Sequence, residues 1–346
     1  LSIWFGGPVK KTPFFWLILL FVFQAYNFFF CSDKSVIMLM LIIFSAVHID
    51  FEKIIRVSFV LSVFMMLFII LSSLFGIIEN RLYIQEAGTR VRYSLGYGYA
   101  NMSSKFFVSI TLMYLYLKKE NIKIRNIVIL FLLNYVLYVL TDTRMSFILS
   151  TIILLGALVL KDIEKHKCIK KLLYFITPYC AIICAVFTYF GTLMYSHYRI
   201  LDILNTLINQ RFRLGLEALR NYGVSLLGKN IPDFVGPKEK YDNPALIYNY
   251  VDSSYVQLLI KNGLIFMVIV FILFWLLGKK VVKEQDNYML FMVIVISIHS
   301  IIEPGLLRLS YYPFLIYFSQ FFLNVGIERS LLYQYDKFKK LHKKTS

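Results

Sequence analysis

Two stretches of this chain place ionisable side chains where an anion and a proton could be handled. The first is Gln210-Arg211-Phe212-Arg213-Leu214-Gly215-Leu216-Glu217. Apolar residues at Ile200, Ile203, Leu204, Leu207, Leu214 and Ala218 recur with helical period, as in a helix lying on a membrane or roofing a cavity. At about 100° per residue, Arg213, Glu217 and Arg220 share a face, so Arg213 and Arg220 can pair with Glu217, a surface bridge worth about 0–1 kcal/mol. Arg211 points elsewhere and lacks such a local partner. Its fork of donors suits an anionic ligand such as a phosphate. The second stretch is Val251-Asp252-Ser253-Ser254-Tyr255, running on to Lys261-Asn262-Gly263. Asp252 stands at a predicted helix start. It can cap that helix, or act as a general base held close to arginine, and the two roles are compatible.

Other residues join these. Arg90-Val91-Arg92-Tyr93-Ser94-Leu95-Gly96-Tyr97-Gly98-Tyr99-Ala100-Asn101 mixes arginines with tyrosines that could stack on sugar rings and glycines that permit turns. It reads equally as an interfacial aromatic belt with positive anchors. Arg144, Glu303 and Arg308 can all lie at a membrane interface, where snorkelling accounts for them. His299 is a lone histidine on an apolar helix and reads as an interior residue. No two histidines have metal-ligand spacing and there is no Asp-x-Asp pair, which predicts a metal-independent protein. The absence of a phosphate-binding Gly-rich Lys-Ser/Thr loop argues against a nucleotide-driven step. Cys31, Cys168, Cys180 and Cys184 lie in or beside apolar runs and suggest neither disulfides nor zinc.

The elements that must position these residues are membrane helices. Of 346 residues, 59% are hydrophobic and only 16% charged, against about 25% charged in ordinary soluble domains. Mean hydropathy is +0.67. This composition argues against a soluble enzyme, a disordered tail and a small disulfide scaffold. About 20 apolar residues cross a bilayer. Ten apolar runs qualify or nearly do: roughly 14–30, 35–49, 54–77, 104–117, 126–141, 145–160, 171–191, 255–278, 287–303 and 311–327. The fifth and sixth are parted only by Asp142-Thr143-Arg144, which predicts a tight hairpin. The first run is expected to be a membrane span rather than a cleaved signal peptide.

The net charge of +17 is read through its distribution rather than as a nucleic-acid patch. Most of the 37 Lys and Arg fall in segments that share one side when both termini are cytoplasmic, including a basic tail at 328–346. The expected fold is therefore all-α: one polytopic transmembrane domain over 1–346, about ten spans, and outer loops at about 78–103 and 192–254. The second outer loop is too long to be a mere connector.

At this point the chain resembles a known family. Arg92–Asn101 (R-Y-S-L-G-Y-G-Y-A-N), Thr141–Ser146 (T-D-T-R-M-S), Gln210–Leu219 (Q-R-F-R-L-G-L-E-A-L) and Asp252–Gly263 (D-S-S-Y-V-Q-L-L-I-K-N-G), with the topology, look like the Wzy-type polysaccharide polymerases and related O-antigen ligases. The resemblance covers most of the chain, by order and sidedness more than by any single motif. It implies a membrane glycosyltransferase of the bacterial cytoplasmic membrane that joins undecaprenyl-diphosphate-linked oligosaccharide repeat units at the outer leaflet, in capsule, exopolysaccharide or O-antigen synthesis. A hydroxyl of one lipid-linked unit attacks the anomeric carbon of the growing chain and polyprenyl diphosphate leaves. No cofactor is implied. Arg211 and Arg92 would contact the diphosphate, with Arg144 and Arg213 as further candidates. Asp252 would be the base or hydroxyl-orienting group, and Tyr93, Tyr97 and Tyr255 would shape the glycan path. A chain-length regulator and the pathway's flippase are implied partners, and nucleic acid is not. Alternatives are an O-antigen ligase-like transferase, for which Asp252 stands where ligases tend to carry His, a lipid-phosphate glycosyltransferase using Asp33, and a flippase or other transporter. Transport is disfavoured by the lack of a visible repeat.

Overall fold

The computed structural model describes residue 26 and residues 34–85, 90–231 and 234–321. The expected first span (Tyr26 apart), Cys31, Asp33 and the basic tail lie outside the described residues. Helices α1 (Lys34–Ser45) and α2 (Phe51–Leu74) lead into an antiparallel hairpin of β1 (Leu82–Gln85) and β2 (Arg90–Tyr93). Next come α3 (Ala100–Lys118), α4 (Ile124–Thr141), α5 (Arg144–Lys161), α6 (Lys167–Ile176) and α7 (Cys180–Met194). The short helices α8 (Arg199–Leu207), α9 (Arg211–Tyr222) and α10 (Pro237–Asp242) precede α11 (Ser254–Glu284) and α12 (Asn287–Ile302), and residues 313–321 form a 3-10 helix.

The protein is mostly helical. Five helical stretches among the described residues are long and apolar enough to cross a membrane: α2, α4, α5, the continuous α6–α7 rod and α11. Their polarity is arranged for lipid. Val57, Val60, Leu61, Phe64 and Phe68 of α2 and Leu132, Val136 and Val139 of α4 are exposed, while Ser104, Thr111, Ser150 and Ser297 are buried. Exposed apolar faces of this extent are unstable in water and suited to acyl chains. Helix α3 packs against α2, α4 and α5, and α12 packs against α7 and α11. His299 is indeed interior, with Nδ1 2.6 Å from the Tyr312 hydroxyl. Cys168, Cys180 and Cys184 are free thiols.

Two sequence expectations meet different outcomes. The hairpin between α4 and α5 occupies the residues expected of it: Asp142 ends α4 in the left-handed region (φ 44°) and α5 begins at Arg144. The all-α expectation needs correction in the first long loop, where Leu82-Tyr83-Ile84 and Arg90-Val91-Arg92-Tyr93 form strands. Both segments alternate in polarity or burial with period two, which suits a half-buried ribbon.

The second long loop carries α8, α9 and α10, and α9 docks on α7 through small residues. A Cβ on Gly191 would lie 2.5 Å from the ring of buried Phe212. Gly191→Ala is therefore expected to destabilise the protein by about 1–3 kcal/mol, as overpacking does. Thermal unfolding in detergent reads this; a midpoint equal to the parent's would refute the close approach.

Candidate functional site

The loops at one end of the helix bundle enclose a cavity of about 590 Å³. Eight basic and four acidic residues line it, so its wall has a positive excess. Arg92, Arg144, Arg211, Arg213 and Asp252, widely spaced in sequence, all contribute to this one wall.

The hairpin sets Arg92. Alternation along β2 turns Arg92 inward and Tyr93 outward. The Arg92 Nε donates to the Thr141 carbonyl at 2.9 Å, and Nη1 donates to the Tyr99 hydroxyl. Its guanidinium lies 4.9 Å from the Tyr99 ring centroid. Burial draws the proton affinity of Arg92 below its ordinary value, an effect that Tyr99 and Asp142 oppose. Asp142, at the α4–α5 turn, pairs with Arg90 and stands 3.5 Å from Arg144 Nε. Beneath it Ser104, Thr141 and Thr143 interlock, with hydroxyl separations of 2.6–3.2 Å.

Arg211 opens α9. Asn209 and Gln210 are both left-handed (φ 56° and 61°), which turns the chain sharply from α8. Gln210 does not cap the new helix. Instead fully buried Asn205, from α8, accepts from the amides of Phe212 and Arg213 at 3.1 and 3.2 Å. These bonds satisfy two of the free donors at the helix start. Arg211 is not without a partner, which corrects the local reading. Its Nη1 donates to the Ile208 carbonyl at 2.8 Å, its Nε to the Ile302 carbonyl, and its Nη2 lies 3.3 Å from Glu303 Oε1. Glu303 also pairs with Lys105 of α3. Glu303 is 4% exposed, so it does not snorkel. Arg213 pairs with Glu217 at 3.1 Å, both half exposed, which is the local bridge its spacing predicts.

Asp252 does not cap α11. That helix starts at Ser254 with Ser253 in the cap position, so Asp252 stands one residue outside it. Ser254 anchors the start instead: Oγ donates to the Glu303 carbonyl at 2.6 Å and accepts from the amides of Gly305 and Leu306. The Asp252 carboxylate has no hydrogen-bond or ion-pair partner among the described residues. Burial pushes it above the usual carboxylate range. Arg211 pulls the other way, Glu303 adds to the rise, and Lys105 also lowers it. Burial works against the charge on Arg211, but Asp252 and Glu303 more than offset this and hold its proton more tightly than usual.

The tyrosine expectations need correction, because none of the three lines the cavity. Tyr93 faces out from β2. Tyr97 is buried and stacks on Phe106, with ring centroids 5.7 Å apart. Tyr255 is fully buried and donates its hydroxyl to the Ser297 carbonyl at 2.8 Å. The aromatic wall comes from Tyr99, Tyr248, Tyr250 and Tyr311. Tyr248 and Tyr250 precede Asp252 at alternate positions in a segment without regular structure, and all three line the cavity. Burial raises the Tyr248 and Tyr250 hydroxyls above their ordinary range, with Asp252 adding to the rise. Lys105 is not among the residues expected from sequence, although the signal is there: it is a lone charge inside the apolar run 104–117, where an ionisable residue marks a functional site. Arg308 lines the cavity, is exposed, and has no ion-pair partner among the described residues.

Chemically, this wall offers an unpaired carboxylate of weakened acidity beside fixed cations. Such a site can accept a hydroxyl proton and stabilise a departing anion. Among the described residues no three His, Cys, Asp or Glu side chains cluster to hold a metal. No family model, curated protein or solved structure matches this chain.

Proposed function

We propose that this protein is a membrane polysaccharide polymerase acting on polyprenyl-diphosphate-linked oligosaccharides. The observation that carries the reading is the cavity in which unpaired Asp252 faces the Arg211 wall. In this reading the chain crosses the bacterial cytoplasmic membrane about ten times, with both termini inside. The cavity opens toward the outer leaflet, where lipid-linked repeat units wait. A volume of about 590 Å³ falls within the range of roughly 300–1,000 Å³ that holds ligands of several rings.

The acceptor hydroxyl is positioned by Tyr248 and Tyr250 beside Asp252. As its oxygen bonds to the donor's anomeric carbon, its proton passes to the Asp252 carboxylate. The bond from that carbon to the diphosphate oxygen breaks, and the electron pair leaves with polyprenyl diphosphate. Arg211 stabilises the anion from the cavity floor. Arg308 and Arg144, exposed at the rim, supply charge that internal carboxylates compensate least. Arg92 and Arg213 contribute from the sides. The glycosyl–diphosphate bond supplies the driving force.

Arg211→Ala, read beside Asp252→Asn, tests this in cells whose surface glycan forms a ladder. The ladder is expected to collapse to single repeats while the protein still reaches the membrane. A full ladder defeats the assignment. Deletion of the gene separates the rivals: polymer retained on its lipid carrier indicates a ligase, and repeat units held at the inner leaflet indicate a flippase.

A further inference from the structure

We infer that Glu303 is the positioning residue of this cavity, one buried carboxylate that fixes both Arg211 and Lys105 beside Asp252. The inference takes Asp252 as the proton acceptor of the proposed reaction.

Local electrostatics disfavours each member of this cluster where it stands. Glu303 follows the last residue of α12, so its negative charge sits at the negative end of that helix. Arg211 is the first residue of α9, so its positive charge sits at the positive end, with no acidic residue in the first turn. Lys105 is 8% exposed in an apolar bundle. Glu303 offsets both cationic placements, pairing with Lys105 and with Arg211, while Arg211 also donates to the Ile302 and Ile208 carbonyls and Lys105 lies over the Tyr311 ring. Apolar side chains of similar size fill such positions at least as stably. Conflict between local preference and tertiary placement concentrates at functional sites.

The arrangement also counts charge. The groups facing Asp252 are Arg211 from α9, Lys105 from α3, Glu303 after α12, and Tyr248 and Tyr250 from its own segment. With Asp252 ionised, two cations meet two anions. When Asp252 takes the acceptor's proton the cluster becomes net positive, at the moment the diphosphate acquires its charge. Glu303 thus keeps Asp252 basic enough to receive a proton in the ground state, while holding Arg211 aimed at the leaving group.

The test reads Asp252 directly. Full-length protein in lipid nanodiscs is treated with dicyclohexylcarbodiimide, which labels protonated carboxyls in apolar surroundings. Labelling of the Asp252 peptide is followed against pH by mass spectrometry, with Asp252→Asn as the assignment control. Glu303→Gln removes a neighbouring anion, so the labelling midpoint moves to lower pH. Lys105→Met removes a cation, so the midpoint moves to higher pH. Unmoved midpoints, or shifts of one sign in both variants, overturn the inference. Should Glu303→Gln fail to fold, Lys105→Met is read by itself: a midpoint that stays or falls overturns the inference. Labelling needs no substrate, so opposite shifts in a protein that extends no glycan remove the polymerase reading and leave the role of Glu303 standing.

Discussion

Asp252→Asn is expected to stop chain extension while leaving the protein as stable as the parent, or more so, at neutral pH. Loss of a positioned general base lowers rates by about 10²–10⁴, enough to reduce a glycan ladder to single repeats. The exchange is isosteric, and the carboxylate has no hydrogen-bond partner among the described residues to lose. Burial holds its carboxyl above the usual range, so Asp252 binds its proton more tightly in the folded state than in the unfolded one. Its titration therefore favours folding at low pH, and that contribution is lost as pH rises through the unfolded and then the folded value. Asparagine removes the loss. Thermal unfolding at pH 7 and pH 5 should show a smaller fall in stability with rising pH for the variant than for the parent. In the parent, the acid limb of the extension rate should lie above the ordinary carboxylate range, because the base works only when ionised. An intact ladder in the variant, or a large fall in its unfolding midpoint at pH 7, defeats this account.

Arg211→Ala reports on something different. It leaves Glu303 paired with Lys105 alone and takes the donor from the Ile302 and Ile208 carbonyls, so it removes stability as well as charge. Loss of function in that variant mixes chemistry with stability, whereas Asp252→Asn separates them.

The parts of this architecture that sequence reveals are those set by local pattern. The turn at Asp142-Thr143-Arg144 is legible because two apolar runs leave only three residues between them. Arg144 and Asp252 stand out because each lies at or near the start of an apolar run, and Arg92, Arg211 and Arg213 because they fall in the two long loops between runs; the fold brings all five to one cavity. What escapes is set by long-range contact. Arg211 looks unpartnered within its own helix because Glu303 lies 92 residues away. Lys105 is visible as a lone charge in an apolar run, but its partner Glu303 is not. Tyr93 and Tyr97 carry the right side chains but face the wrong way, since strand alternation points Arg92 rather than Tyr93 inward. Tyr255 fails because α11 begins one residue earlier and turns that ring into the core.

Gly263→Ala is expected to have the largest structural effect of any single methyl group in the molecule's second half. Gly263 interrupts α11 with φ 85° and ψ 172°, a backbone region essentially restricted to glycine. The interruption is filled by the strap after α9. The amides of Leu264 and Ile265 donate to the carbonyls of Ser225 and Leu226 at 3.0 and 3.1 Å, and the Lys229 amide donates to the Lys261 carbonyl at 3.0 Å. The backbone groups freed by the kink are thus satisfied by the strap, as buried backbone groups must be. A Cβ on Gly263 would stand 2.3 Å from the Gly228 nitrogen and 2.7 Å from the Leu226 oxygen. These are main-chain atoms, so no rotamer relieves the clash. Backbone strain alone costs of order 1–3 kcal/mol, and expelling the strap adds the loss of its three hydrogen bonds. Against a net stability of about 5–15 kcal/mol, that is a large share. The strap also sets register between the two halves of the site, because it links α9, which begins with Arg211, to the helix that begins two residues after Asp252. The variant should therefore unfold at lower temperature, be cut by protease between residues 223 and 229, and extend glycan poorly even where it stays folded. Gly228→Ala, at φ 94° on the other side of the same contact, should reproduce the effect. Parent-like melting and protease resistance in both variants would show that the strap does not hold the kink.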